Sequence, residues 1–297
     1  MIDENSFDKN QRESAELSAL LKLLDDPDVE IAEAVRKKIH EYGPQVVANL
    51  RKVATEHDSP QVQENARQII RAFQEEALEN LFKKVINAFA DGSDIALEET
   101  AIMLSQFGFP ETNANEVSEK LDDISLRVHR HFITMQQAND LTLLMSLNRA
   151  FFEEEKFHAA ETDYYAPENS YLDTLLKLKQ GIPISLSVAY MLVGERAGID
   201  LHGVGMPLHF LVFHPELNVF IDTFNHGAFL SQLDCRNFIT QSGFSFSETM
   251  LARVSNMTII TRMMRNLIYA HTKQGQEWEA KKLQDTLDEI IRITDAQ

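Results

Sequence analysis

Apolar residues recur at steps of three and four through most of the chain, a spacing that predicts helices. Leu20, Leu21, Leu23 and Leu24 lead into Asp25-Asp26-Pro27-Asp28-Val29, after which Ile31, Val35 and Ile39 form a helical face that breaks at Tyr42-Gly43-Pro44. Asp58-Ser59-Pro60-Gln61-Val62 echoes that start, with Pro60 falling 33 residues after Pro27, and Ile69, Ile70 and Phe73 supply the next apolar face. A proline preceded by an oxygen-bearing side chain is a helix-start signal, because proline has no N–H to leave unpaired and the neighbouring oxygen caps an orphan donor. Residues 1 to about 15 are polar and aperiodic and read as a frayed tail. From Leu78 to Lys179 the period continues through Leu81, Val85 and Phe89, then Leu97–Phe107, Leu121–Phe132 and Leu141–Phe152. Gly92-Ser93, Gly108-Phe109-Pro110 and Asn139-Asp140 punctuate these elements. Asn169 is placed to cap a helix running over Ser170–Lys179. Met257–Ile293 reads as two helices around Gly275, with Met264, Leu267, Ile268, Leu283, Leu287 and Ile290 facing inward.

The period changes after residue 180. Pro183 suits a first helical turn, and Leu186, Ala189, Tyr190, Val193 and Ala197 follow at steps of three and four up to Gly198, which predicts one buried helix. His209–His214 and Val219–Phe224 are apolar on both faces, as central strands are, with Pro215-Glu216-Leu217-Asn218 as the turn between them. A hairpin centred on that turn sets Leu211 opposite Asp222 and leaves His209 one diagonal step away on the same face. Diagonal partners have Cβ atoms about 7 Å apart, within reach of an imidazole–carboxylate hydrogen bond. The plainer alternatives are a core histidine bonded to a carbonyl and an aspartate serving as a turn acceptor.

Composition narrows the function classes. The chain has 297 residues, 44% of them hydrophobic, enough for a substantial core and for about two domains. With 46 acidic against 28 basic residues its formal charge is −18, which disfavours nucleic acid and anionic membrane surfaces as partners. The single cysteine, Cys235, excludes an intramolecular disulfide. The start, Met-Ile-Asp-Glu-Asn-Ser, lacks the basic and apolar parts of a secretory signal, and no apolar run approaches a membrane span, so the cytoplasm is the expected compartment. A metal site from His202, His209, His214 and His226 is disfavoured, since His209 and His214 differ by an odd number and point to opposite strand faces. No metal and no cofactor are expected.

Four segments carry a resemblance: Asp163–Leu172 (Asp-Tyr-Tyr-Ala-Pro-Glu-Asn-Ser-Tyr-Leu), Gly181–Ser187 (Gly-Ile-Pro-Ile-Ser-Leu-Ser), Pro207–Leu211 (Pro-Leu-His-Phe-Leu) and Ile221–Phe224 (Ile-Asp-Thr-Phe). In the order helix start, histidine, aspartate, the chain resembles the SirB-type branch of the papain-like transglutaminase core, over roughly residues 80 to 295. Beside the helical N-terminal region (1–77) that the spacing predicts, the resemblance implies an α+β, predominantly helical fold: a transglutaminase-like domain with a small antiparallel sheet (78–250) and a C-terminal helical hairpin (251–297) similar to one tetratricopeptide unit. The N-terminal region resembles HEAT-like helical pairs, with a plain helical bundle as the alternative.

It also implies a catalytic histidine and aspartate at His209 and Asp222, the aspartate fixing the histidine tautomer. The nucleophile departs from the pattern. In transglutaminases and thiol proteases a cysteine stands at the start of the core helix, where the macrodipole favours thiolate, and the resemblance puts that place at Pro183 or Ile184. Ser185 has the better claim of the two nearby serines, Ser185 and Ser187, although a residue one or two places along a helix is rotated by roughly 100° to 200° from the site, and both have plain roles as a helix cap or a bond to the preceding turn. Cys235 lies outside the helix–strand–strand order and reads as a small buried apolar residue. The expectation is a transglutaminase-like domain without its thiol that binds a protein or peptide. The alternatives are a hydrolase or acyltransferase using Ser185 with His209 and Asp222, and a helical scaffold.

Overall fold

A computed structural model describes residues 16–17, 19–26 and 28–294, so the N-terminal tail and Pro27, on which the repeat at Pro60 rests, lie outside the described residues. The chain divides into two compact units, residues 1–77 with 109–111 and residues 78–108 with 112–297.

In the first unit, helices α1 (Val29–Glu41), α2 (Val47–Glu56) and the beginning of α3 (Pro60–Ala90) enclose a core of Leu24, Val35, Ile39, Val47, Leu50, Val62, Ile69 and Phe73. Asp28 caps α1 by accepting from the Glu30 N–H at 2.9 Å. The inward face of α1 is Ala32, Val35 and Ile39; Ile31, expected there, is 43% exposed because it stands one helical step off that stripe. Buried Asn65 donates to the Leu24 carbonyl at 2.7 Å and accepts from Arg36 at 3.0 Å, tying α3 back to the segment before α1.

The second unit begins with the rest of α3, followed by α4 (Leu97–Gly108), α5 (Ala114–Phe132) and α6 (Asp140–Asn148). The helix expected over 141–152 changes character at Arg149, where Arg149–Glu154 forms a π-helical turn. Consecutive Phe151 and Phe152 both pack on Tyr190, with centroids 5.3 and 5.8 Å away, and the wider turn lets two adjacent side chains face one partner. Strand β1 (His158–Ala159) then pairs in parallel with β2 (Gln180–Gly181) on either side of α7 (Leu172–Leu178). Helix α8 (Pro183–Arg196) is buried all round, as its apolar composition predicts; Ala197 caps it, and Gly198 at φ +78° turns the chain away.

Four short antiparallel strands follow in meander order: β3 (His202–Val204), β4 (Leu211–His214), β5 (Val219–Asp222) and β6 (Ala228–Leu230). The β4–β5 register, Val212 to Ile221, Phe213 to Phe220 and His214 to Val219, is the one the Pro215–Asn218 turn predicts. His209 itself precedes β4 instead of lying within it, because Leu208 at φ +63° bends the chain before the strand starts. Helix α9 (Gln232–Gln241) covers one side of the sheet with Cys235 and Ile239. Helices α10 (Asn256–Lys273) and α11 (Glu277–Thr294) form an antiparallel pair around Gly275 at φ +71°, burying Met263, Met264, Leu267, Leu283, Leu287 and Ile290. The architecture is helical α+β with a small antiparallel sheet. Among the described residues no helix is long and apolar enough to cross a membrane.

Candidate functional site

The hairpin brings His209 and Asp222 together: the imidazole Nε2 donates to Asp222 Oδ1 at 3.0 Å, and the two side chains are only 11% and 15% exposed. The same oxygen accepts from the backbone N–H groups of Phe224 at 3.1 Å and Asn225 at 3.2 Å, so Asp222 also caps the 3-10 turn Thr223–Asn225. Three donors on one carboxylate oxygen hold it rigidly. With Nε2 committed to Asp222, the histidine is set to present its Nδ1 edge to anything that enters.

Three contacts fix the loop that carries Asp222. Its carbonyl accepts from Gly227 N at 2.8 Å. Asn148, at the end of α6, donates to the Gly227 carbonyl at 2.9 Å and accepts from the Tyr190 hydroxyl of α8 at 2.7 Å. Ser187 of α8 and Thr223, both fully buried, share a hydrogen bond of 2.8 Å.

The expected nucleophile is differently engaged. Ser185 Oγ donates to the Asn169 carbonyl at 2.6 Å or the Ile182 carbonyl at 3.1 Å, accepts from Ile182 N at 3.0 Å, and is 1% exposed. Ser185 therefore closes the first turn of α8, and no hydrogen bond joins it to His209. Pro183 and Ile184, the places at which the sequence resemblance would set a thiol, are buried and carry no nucleophile. Cys235 is closer to the pair than its position in sequence suggests, since Asp222 is among the charges acting on it. Its thiol is fully buried, and burial first, then Asp234, pushes its pKa up to about 12, so it carries no thiolate near neutral pH.

Asn169, expected to cap a helix at Ser170, has a different task. The helix begins at Leu172, where Ser105 Oγ accepts from the N–H groups of Leu172 at 3.0 Å and Asp173 at 3.4 Å in place of an N-cap side chain, and Pro167–Ser170 forms a 3-10 turn. Buried Asn169 donates to the carbonyls of Asp163 at 2.9 Å and Tyr164 at 3.3 Å and accepts from Gln180 at 3.1 Å. That holds the Tyr164–Tyr165 loop beside the histidine.

Aromatic rings surround the pair in a continuous row. Tyr269 meets Tyr165 (5.0 Å between centroids), Tyr165 meets Tyr164 (5.1 Å), and Tyr164 meets Phe224 (6.1 Å). Phe224 packs edge-on to His209 at 6.2 Å, and His209 tilts against Phe238 at 5.5 Å. Tyr165, Tyr269 and Phe238 are 39–49% exposed, and Leu208, next to the histidine, is 74% exposed. The tyrosine row and Leu208 are not apparent from helical or strand periodicity; only the exposed loop motif Asp-Tyr-Tyr signals them. Arg262 of α10 closes the back of the site, its Nη2 donating to the carbonyls of Met206 at 2.9 Å and His209 at 2.7 Å.

His202, His214 and His226 do not join His209: His202 faces Asp200, His214 takes the Leu217 N–H, and His226 packs on Phe152. Among the described residues no group of three histidine, cysteine, aspartate or glutamate side chains is arranged to hold a metal ion. A separate cavity of about 490 Å³ at the far end of α8 is lined by Leu192, Glu195, Asp200, His202 and Arg253 and contains none of the pair.

Comparison with known proteins gives a consistent picture. Residues 115–265, about half the chain, match the transglutaminase-like superfamily. Two similar curated proteins are called UPF0162 protein. One, from Xylella fastidiosa strain 9a5c, is 29% identical over 66% of this chain and 74% of its own length. The other, from strain Temecula1, is 30% identical over 62% of this chain and 69% of its own. The chain is also similar to the F-box only protein 21 of Homo sapiens, 28% identical over 49% of this chain and 24% of that protein. No solved structure matches.

Proposed function

The chain belongs to the transglutaminase-like superfamily, and from that premise we propose that it is a polypeptide-binding domain that has kept the histidine–aspartate half of the fold's site without a working nucleophile. One observation carries this reading. His209 and Asp222 stand paired within a row of exposed aromatic rings, while the neighbouring oxygen and sulfur atoms, Ser185 Oγ, Ser187 Oγ and Cys235 Sγ, are bonded elsewhere or buried. Exposed tyrosine and phenylalanine are the residues that anchor peptide ligands, because they bury large rigid surface and lose little entropy. His209 Nδ1, the accepting nitrogen once Nε2–H is given to Asp222, can take a hydrogen bond from a peptide N–H in their midst. Within the superfamily we place the chain in the SirB-type branch on the four matching segments, with HEAT-like N-terminal helices and a tetratricopeptide-like C-terminal pair as further surface, acting in the cytoplasm.

The test is selection of a displayed random-peptide library on the full chain, followed by affinity measurements with Tyr165→Ala and Tyr269→Ala. Both positions are exposed, so the variants are expected to fold. The expected result is a peptide family that binds wild type and loses about tenfold, roughly 1.4 kcal/mol, in either variant. Peptide turnover that vanishes in His209→Ala with the fold intact would overturn the reading.

That outcome would favour a hydrolase or acyltransferase, for which the ordered His209–Asp222 pair is the supporting observation. Ser185 is its nucleophile, and labelling by an active-site serine probe that disappears in Ser185→Ala is its signature.

A further inference from the structure

Arg262 differs from the other inward-reaching arginines of this unit. Arg196 is matched by Glu98 at 2.8 Å and Asp122 at 2.6 Å, and Arg127 by Glu155 at 3.0 Å. Among the described residues no carboxylate lies within ion-pair distance of Arg262, in a chain whose formal charge is −18. Its two short hydrogen bonds go to the carbonyls of Met206 and His209, which satisfy two N–H donors and supply no countercharge. The guanidinium also lies 5.4 Å over the Phe210 ring. A Cβ at Gly205 would stand 3.0 Å from Nη1, so the glycine lets the cation settle against this turn. Burial first, and then the like charge of Arg265, bear against the cation, and Tyr164, whose own pKa is raised by burial, is a neutral phenol near pH 7 and supplies no countercharge. A partly buried charge without a partner costs stability unless something offsets it.

The position of that charge decides what would offset it. Arg262 grips the backbone of His209, and Phe224 packs edge-on to both Tyr164 and His209. The four residues make one wall of the aromatic site. We propose that Arg262 forms a carboxylate-binding subsite, so that the occupant of the His209 site is a polypeptide segment carrying an acidic group among apolar residues. A guanidinium suits a carboxylate because its N–H groups are planar and paired, and a ligand carboxylate in a half-buried place is bound far more strongly than one on open surface. The acid is an aspartate or glutamate side chain or the free C-terminus of a chain. The inference rests on the polypeptide-binding reading above.

The experiment uses peptides selected on the full wild-type chain, resynthesised in three forms: with each Asp or Glu replaced by Asn or Gln, with the C-terminal acid converted to the amide, and unchanged. The expected result is at least a tenfold loss of affinity from one of the two changes, the first identifying a side-chain acid and the second a terminal one. In Arg262→Gln that difference should shrink to less than threefold, and Arg262→Lys should restore part of it. Equal binding of acid and amide forms by the wild-type chain overturns the inference while leaving the polypeptide site standing. If no peptide binds in competition at Tyr165 and Tyr269, both fall. Equal binding of the acid and neutral forms by the wild-type chain refutes the inference even if the arginine variants do not fold.

Discussion

Removing the Ser187 hydroxyl tests how the Asp222 loop is held to the core helix. Ser187 Oγ and Thr223 Oγ1 are 2.8 Å apart and both residues are fully buried, so no water replaces a lost partner. In Ser187→Ala the Thr223 hydroxyl is left buried without a partner, at a cost of about 1–3 kcal/mol. Thr223→Val removes the other half in nearly the same shape. Ser187 can then turn to a carbonyl one turn back on α8, so this change should cost only about 1 kcal/mol. The double variant replaces both groups and leaves no orphan, and its cost should fall below the sum of the single variants by about 1 kcal/mol. The assay is urea denaturation of the four proteins, with equal m-values as the check that only stability has changed. Additive single effects, or a neutral Ser187→Ala, would refute the reasoning.

Further outcomes follow from the same structure. Gly227 (φ +73°) and Gly198 (φ +78°) share a left-handed backbone, but a Cβ at Gly227 would stand 2.5 Å from Asn148 and Phe152 whereas Gly198 faces open space. Gly198→Ala should cost about 1 kcal/mol and Gly227→Ala about 2–4 kcal/mol in the same denaturation assay, because the second adds a clash to the backbone strain. His271 is buried between the Tyr171 hydroxyl (2.8 Å) and Gln276 (2.6 Å), and burial lowers its pKa. The folded state therefore binds this proton less readily than the unfolded state. Its stability contribution is complete above the unfolded value of about 6.5 and is lost as pH falls below it, by up to about 1.4 kcal/mol per pH unit. The urea midpoint of wild type should drop between pH 6.5 and 5 more steeply than that of His271→Gln. Cys235, with its thiol pushed to about 12, should resist a disulfide reagent at pH 8 in the native chain and react within minutes in denaturant.

The hairpin was readable from the chain because a four-residue turn between two apolar runs leaves one register that buries both faces, and that register placed His209 near Asp222. The strand boundary was not, since it depends on Leu208 taking a left-handed conformation that a non-glycine residue rarely adopts. Asn169 looked like a local cap, yet its amide reaches back to Asp163 and Tyr164 and across to Gln180, and such partners leave no periodic trace. Arg262 sits in a run with Met263 and Met264 that reads as core, and its importance comes from carbonyls more than fifty residues away. The match of residues 115–265 covers the segments that carried the resemblance to the transglutaminase-like core from Asp163 to Phe224. What bonding Ser185 makes could come only from the coordinates, because a serine at the third helical position can cap or attack from the same place in sequence.

The most direct test of the central claim is to incubate a library-selected peptide with the full chain at saturating concentration. Its affinity would be measured by calorimetry and its mass recorded over a day. The account predicts that the peptide binds, that Tyr165→Ala weakens it about tenfold, and that the peptide mass is unchanged. A mass change from hydrolysis, deamidation or acyl transfer that requires His209 would contradict it and make this chain an enzyme.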